Sequence, residues 1–261
     1  MCQAPGLQWG QRMRGSIHLA RIAGIDLYLH STWFLVLLYE LSGGAGRYSS
    51  QWWVLYEVLA LFAIVTLHEF GHALACRQVG GIANKIMLWP FGGIAFVDVP
   101  PRPGATLWTI AAGPLVNVAL VPVLAFLPAP ASPDAIQLLR AVNYINLGLL
   151  VFNILPVYPL DGGQILHALL WYPLGRARSL LATTVVGLLG VAGLFFAAWR
   201  LDDLWLAAIT VFILMYCWSG LKFARALARR ELSAAASLPT ADRTFPAADA
   251  PPPAPARPLL K

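Results

Sequence analysis

The most informative shortage in this sequence is that of charged side chains. Asp, Glu, Lys and Arg make up 11% of the 261 residues, whereas hydrophobic residues make up 59% and the mean hydropathy is +0.67. Soluble globular chains carry about 25% charged residues, so the composition predicts a membrane protein surrounded by lipid bilayer. It excludes intrinsic disorder over most of the chain and a nucleic-acid partner.

Cysteine is scarce as well. The three cysteines, Cys2, Cys76 and Cys217, lie far apart in the chain and form no C-x-x-C pair. Disulfide-stapled secreted domains and thiolate zinc sites both require closely patterned cysteines. The sequence therefore excludes a disulfide framework and a thiolate metal site.

Long apolar runs are abundant. A hydrocarbon core about 30 Å thick requires about 20 apolar residues per helix. Six runs approach this length, the first of them short, and they cover about residues 27–41, 52–76, 107–127, 136–155, 180–199 and 204–223. We therefore expect an all-α polytopic membrane protein with about six transmembrane helices.

The connection between the second and third runs has a different pattern. Residues 85–89 and 94–99 look strand-like on either side of a Pro-Phe-Gly-Gly turn, which predicts a short β-hairpin. Outside the six-span core at 27–223, we expect a cytoplasmic N-terminal segment at 1–26. We also expect a disordered Ala/Pro-rich cytoplasmic tail at 224–261.

The distribution of basic residues predicts the orientation in the membrane. Most of them fall in the N-terminal segment, in the second and fourth connections or just after the last run, while the opposite side receives Arg47, Arg140 and Arg200. Cytoplasmic loops are enriched in Lys and Arg. We therefore expect a multi-pass protein of a bacterial-type inner membrane with both termini in the cytoplasm.

Ionisable residues inside the second run indicate a functional site, because such groups are costly within a membrane span. His68 and His72 are four residues apart, so on a helix both imidazoles reach one metal ion, and this spacing is typical of zinc ligands. Glu69 is turned by about 100° from His68 and is the candidate general base. The alternative is a chance H-E-x-x-H whose polar groups are satisfied by neighbouring helices.

A hydrolytic zinc site usually has three protein ligands and keeps one position for water. Asp161 is the candidate third ligand, because it follows the fourth apolar run in a segment that Pro156 and Pro159 should keep non-helical. Non-helical backbone at membrane depth is tolerated only beside protein or a water-filled cavity. The alternative makes Asp161 a turn residue in an interfacial Asp-Gly loop.

In combination, the motifs H-E-F-G-H (68–72) and N-x-x-P-x-x-P-L-D-G (153–162) resemble those of the site-2 protease family of intramembrane zinc metalloproteases. Weaker matches are G-P-L-V-N (113–117) and P-F-G-G-I-A (90–95), and the resemblance covers about residues 17–223. No stretch of this sequence is long enough for the PDZ or CBS domains of many relatives. We therefore expect a minimal form of the family.

The resemblance implies one zinc ion per chain, bound by His68, His72 and Asp161, with Glu69 as the catalytic base. Asn153 and Asn117 match motif positions that orient substrate or the site. For Asn117, an interhelical hydrogen bond beside a small-residue contact is an equally good interpretation.

The function implied is hydrolysis of a peptide bond in or near the transmembrane segment of a substrate, in regulated intramembrane proteolysis. Such a substrate is a single-span membrane protein, for example an anti-sigma factor or a signal-peptide remnant. The alternative is a non-catalytic zinc-binding membrane scaffold or a metal transporter that uses the same residues. A transporter is expected to have ionisable residues along several spans, whereas here they converge on one cluster.

Overall fold

The computed structural model describes residues 15–43, 46–89, 92–128 and 131–237. In these segments four strands and seven helices follow one another along the chain. They are β1 (Ser16–Ile22), β2 (Ile25–His30), α1 (Trp33–Gly43), α2 (Gln51–Gln78), β3 (Ile82–Trp89), β4 (Gly92–Asp98), α3 (Pro103–Ala125), α4 (Pro133–Ile154), α5 (Asp161–Leu174), α6 (Arg176–Leu201) and α7 (Leu204–Ser237).

Five helices in the described part of the chain, α2, α3, α4, α6 and α7, are long and apolar enough to cross a membrane. They leave large apolar side chains on the outside, including Val151 at 60% and Leu189 at 71% exposure. Exposure of such apolar faces to water is unfavourable, whereas their contact with lipid is not. The predicted helical, polytopic membrane fold is confirmed.

The first apolar run is organised differently from the others. Its beginning, 27–30, belongs to β2, and only the remainder enters α1, which has 11 residues. At 1.5 Å per residue this helix is about 16 Å long, roughly half the thickness of the hydrocarbon core. The first run therefore provides a short apolar helix where the sequence suggested a short span.

A four-stranded sheet, in the order β1-β2-β3-β4, packs along α2. The predicted hairpin is present as the antiparallel pair β3–β4, and its turn at residues 90–91 lies outside the described residues. β2 pairs parallel with β3 and antiparallel with β1, through a two-residue turn in which Ala23 and Gly24 both have positive φ. Such a turn matches the twist of a hairpin.

Part of the predicted N-terminal segment at 1–26 contributes to the sheet. Residues 16–26 belong to the sheet, and Ile25 is fully buried in a core cluster with Val58 and Val65 of α2. The alternation of Ile25, Leu27 and Leu29 with more polar neighbours is a strand signal, but the adjoining apolar run favoured a span. Residues 1–14 lie outside the described part of the chain.

Helix α7 begins at Leu204 and continues to Ser237, well beyond the expected end of the last span at 223. Residues 224–237, predicted as part of a disordered tail, are therefore helical. An Ala- and Arg-rich sequence with strong helix propensity explains this extension. The rest of the predicted tail, 238–261, lies outside the described residues.

The connection after α4 is non-helical, as the prolines predicted. Residues 155–160 separate α4 from α5, and α5 starts at Asp161. Gly162 and Gly163 allow the first turn of α5 to pack on this connection, because a Cβ at Gly162 would collide with the backbone carbonyl of Ile154. This tight packing places the Asp161 side chain among the long helices.

Candidate metal centre

His68, His72 and Asp161 converge on one buried point between α2 and the start of α5. The Nε2 atoms of the two histidines lie 3.1 Å apart, and Asp161 Oδ2 lies 3.0 Å from His68 Nε2 and 3.3 Å from His72 Nε2. The three residues are 3%, 6% and 8% exposed. Among the described residues this is the one group of three potential ligands close enough to hold a metal ion.

The outer nitrogen of each imidazole has a hydrogen-bond partner. His72 Nδ1 lies 2.9 Å from the backbone carbonyl of Thr109, and His68 Nδ1 lies 2.6 Å from Oδ1 of Asn117. A carbonyl oxygen only accepts hydrogen bonds, so the proton of each neutral ring belongs on Nδ1. Both Nε2 atoms then direct a lone pair towards Asp161.

A divalent cation fits this arrangement. Two Nε2 lone pairs and a carboxylate oxygen face one another, and Asp161 Oδ2 has no hydrogen-bond donor among the described residues. Ligands of a tetrahedral zinc ion lie roughly 3.3 to 3.5 Å apart, close to the distances observed here. Two nitrogens and one carboxylate oxygen are also a typical ligand set of hydrolytic zinc sites.

Glycine makes room for the two imidazole rings. A Cβ at Gly113 of α3 would collide with the His72 ring and lie 2.8 Å from His68 Nε2. At Gly71, a Cβ would lie 2.7 Å from the carbonyl oxygen of Ala112, so α2 and α3 approach very closely at this level. The metal cluster therefore depends on small residues in both helices.

Glu69 lies beside the cluster and outside its three ligand atoms. Its Oε2 accepts a hydrogen bond of 2.8 Å from the backbone N–H of Ala95 in β4. The side chain also passes over Gly93, where a Cβ would collide with Glu69 Cγ. The strand that follows the predicted turn thus holds the candidate base.

A cavity of about 160 Å³ opens in front of these groups. Its walls come from α2, β4, α3, α4, the connection before α5, α5 and α7, and the lining includes His68, Glu69, His72, Asn153, Asp161 and Gln164. Most of the remaining lining is apolar. The site therefore combines a few polar groups with a largely apolar enclosure, as substrate sites do.

The two asparagines singled out by the sequence take different places. Asn153 lines the cavity, whereas Asn117 is fully buried behind His68. Asn117 Nδ2 donates to Asn146 Oδ1 at 2.8 Å, so Asn117 contacts the cluster and also makes the interhelical hydrogen bond considered for it.

Sequence reasoning missed Asn146, Gly93 and the carbonyl of Thr109. Asn146 could have been found, because a polar amide within an apolar run of α4 is the same signal that identified the histidines. Gly93 lies within the P-F-G-G-I-A match (90–95), which assigned it no role, whereas the Thr109 carbonyl is a backbone group and leaves no such signal in the sequence.

The fold and the cluster together define a polytopic membrane protein with a buried two-histidine, one-carboxylate centre. Its sequence matches the profile of Peptidase family M50 over residues 56–133 and 129–197. The chain belongs to this family, and the resemblance to site-2 proteases is confirmed.

Individual relatives agree with this assignment. The chain is 36% identical over 169 residues to the zinc metalloprotease MJ0392 of Methanocaldococcus jannaschii, covering 64% of this chain and 49% of that protein. It is 34% identical over 114 residues to stage IV sporulation protein FB of Bacillus subtilis, covering 43% and 39%. The chain thus spans about half or less of these curated relatives.

A solved structure has a similar fold. The site-2 protease from Methanocaldococcus jannaschii superimposes with a TM-score of 0.55 at 27% sequence identity. The match covers 79% of this chain and 95% of that one. The similarity therefore extends over most of the membrane core.

Proposed function

We propose that this chain is an intramembrane zinc metalloendopeptidase that cleaves a peptide bond in or near the transmembrane segment of a membrane protein. The observation that carries the proposal is the buried cluster of His68, His72 and Asp161, with Glu69 beside it on a cavity. The family and the relatives named as zinc metalloproteases support it.

In this proposal His68, His72 and Asp161 hold one zinc ion and Glu69 is the general base. Zinc, when bound, supplies a Lewis acid that makes water more acidic and polarises the scissile carbonyl. Glu69 takes the proton from the attacking water and delivers it to the leaving amine. Its position on the cavity wall, outside the ligand set, suits this role.

The substrate peptide must be extended, because the carbonyls of a transmembrane helix are engaged in intrahelical hydrogen bonds. β4 is the terminal strand of the sheet, and Gly93 and Ala95 line the cavity. We propose that the unwound substrate adds to this edge as a further strand. Asn153, which also lines the cavity, is the proposed residue for orienting the peptide.

Addition of a substrate strand would also affect Glu69, the candidate base. The Ala95 N–H donates to Glu69 Oε2, and Ala95 lies opposite Ile86 of β3 in the ladder. A substrate carbonyl that takes over this N–H releases the carboxylate. Substrate docking and freeing of Glu69 are thus one event in this scheme.

The proposed orientation places both termini in the cytoplasm of a bacterial-type inner membrane. The sheet joins 16–30 and 82–98, two segments that the basic residues assign to the cytoplasmic side. His72 lies six residues before the end of α2, about 9 Å along the helix axis from that side. The centre is therefore expected inside the membrane near its cytoplasmic face.

A single-span membrane protein, such as an anti-sigma factor or a signal-peptide remnant, is the proposed substrate class. The relative named as a sporulation protein suggests a regulatory setting. A zinc-binding scaffold or metal transporter is less well supported. Within the described residues the potential ligands form one cluster, whereas a transport path requires several sites along the bundle.

The proposal is tested with purified protein in liposomes and a single-span protein as substrate. We expect cleavage that a zinc chelator abolishes and added zinc restores, with the cut mapped by mass spectrometry to the substrate's span. Cleavage that is indifferent to the chelator, or cuts confined to soluble loops, would reject it.

A further inference from the structure

We infer that Asn146 is a positioning residue for the metal centre, acting on His68 through Asn117. This inference rests on the proposed zinc site. Asn146 lies in α4 and touches no ligand atom. It determines which end of the Asn117 amide faces His68. Three consecutive hydrogen bonds, each with a defined direction, connect Asn146 to His68.

The direction is fixed at one end by a backbone group. Asn146 lies with its amide 3.0 Å from the main-chain carbonyl oxygen of Asn117. A carbonyl can only accept, so the Asn146 atom at this position must be Nδ2. The other atom of the Asn146 amide, Oδ1, is therefore an acceptor facing Asn117.

The remaining bonds follow from this one. Asn146 Oδ1 accepts from Asn117 Nδ2 at 2.8 Å, which leaves Oδ1 of Asn117 facing His68 Nδ1 at 2.6 Å. His68 must then carry its proton on Nδ1 and offer the lone pair of Nε2 to the metal. Without Asn146, the Asn117 amide could rotate by 180° and present its N–H₂ group to His68, which favours the wrong tautomer.

The tautomer of His72 does not depend on the orientation of a side-chain amide. Its Nδ1 faces the carbonyl of Thr109 directly, and a backbone carbonyl cannot rotate into a donor. The two ligands are therefore held by different means. His68 alone depends on a side chain whose orientation has to be imposed.

The burial of Asn146 is a second, independent observation. It is fully buried, and it is the one buried residue of α4, whose other side chains are partly or largely exposed. A helix that faces lipid buries a polar amide at a cost unless the amide has a specific partner. Asn146 places both ends of its amide on Asn117.

The test measures zinc affinity of the purified, folded protein by competition with a chelator of known affinity. Asn146→Leu keeps the size of the side chain and removes both hydrogen bonds, and we expect zinc binding to weaken by about 10- to 100-fold. The matched control is Asn143→Leu, one turn earlier in α4, where the amide donates to the Leu139 carbonyl of its own helix. The control should bind zinc like the wild type.

The Asn117→Asp variant distinguishes the proposed role of Asn146 from a role in packing alone. A carboxylate accepts hydrogen bonds with both oxygens, so its rotation no longer matters to His68. Adding Asn146→Leu to Asn117→Asp should cause no loss of zinc affinity, because the Asn146 Oδ1 that it removes would face a carboxylate oxygen. A loss as large as in the wild-type background would overturn the inference, because it would show that Asn146 acts independently of the Asn117 amide.

Wild-type zinc affinity in folded Asn146→Leu would also overturn the inference. If the wild type itself binds no zinc, both this inference and the proposed function fail. If the wild type binds zinc and is active but the variant is unaffected, the role of Asn146 is rejected and the proposed function stands.

Discussion

Glu69 and Ala95 are joined by a hydrogen bond of 2.8 Å from the backbone N–H of the strand to the carboxylate of the helix. This contact connects the candidate base to the edge of the sheet where we expect substrate to bind. Because the donor is a backbone group, no change of the Ala95 side chain alone can remove it. Proline can, since it has no N–H.

Ala95→Pro tests the proposed edge as a substrate site. Proline is tolerated in an edge strand where the N–H points out of the ladder, so the fold should survive. We expect cleavage of a single-span substrate to fall by at least about tenfold, since one net hydrogen bond contributes about 1 kcal/mol and strand register is also perturbed. Kinetics in liposomes with equal zinc content provide the measurement.

The control for this variant is Ala95→Gly, which loosens the strand but keeps the N–H donor. It should retain most of the activity. If Ala95→Pro and Ala95→Gly cleave equally well, strand addition at β4 is wrong, whatever the status of the zinc site.

Gly93→Ala should separate catalysis from metal binding. The added Cβ meets Glu69 Cγ and lies 2.6 Å from Glu69 Oε1, so the carboxylate must move. A displacement of about 1 Å in a catalytic group can cost about 100-fold in rate. We expect kcat to fall by at least tenfold while zinc content and affinity stay unchanged.

Gly113→Ala should have the opposite effect. Its Cβ meets the rings of His72 and His68, so the ligands separate and zinc affinity should fall by at least about tenfold. Gly148→Ala in α4 is the control for both glycine variants, because no described residue lies within 4 Å of the added atom. Unchanged zinc affinity in Gly113→Ala would mean that the cluster tolerates a displacement that our interpretation does not allow.

Tyr48 gives a prediction outside the membrane core. Its hydroxyl donates to Glu57 Oε2 at 2.8 Å, and burial, followed by the Glu57 carboxylate, raises the pKa of Tyr48 above its ordinary value. The stabilisation is present below the pKa of the unfolded state, about 10, and is lost only above it.

Tyr48→Phe should therefore lower the free energy of unfolding by about 1 kcal/mol, and equally at about pH 6 and about pH 9. Thermal unfolding in detergent at the two pH values is the measurement. A cost that disappears by pH 9 would show that the hydroxyl has already ionised, contrary to the raised pKa.

The membrane core and the ligand cluster were predictable for a physical reason. Burial of His68, His72 and Asp161 among apolar residues is costly without a function, and that cost is visible in the sequence. The structure brings these three side chains together.

Other features depended on long-range pairing. The strand at 25–30 is specified by its parallel partner β3, more than 50 residues later, so local apolar composition favoured a span instead. In the predicted tail, order was underestimated. The alanines at 224–237 extend α7, whereas the prolines that suggested disorder come later. The P-F-G-G-I-A match (90–95) includes Gly93 and Ala95, but the pattern alone does not show that these residues contact Glu69.

The central claim is tested most directly by measuring zinc content and cleavage rate together for the wild type and Glu69→Gln in liposomes. Our account predicts that both proteins hold one zinc ion and that the variant cleaves a single-span substrate about 100- to 10,000-fold more slowly. Glu69→Gln that holds zinc and cleaves as fast as the wild type would contradict the assignment of the base and with it the proposed mechanism.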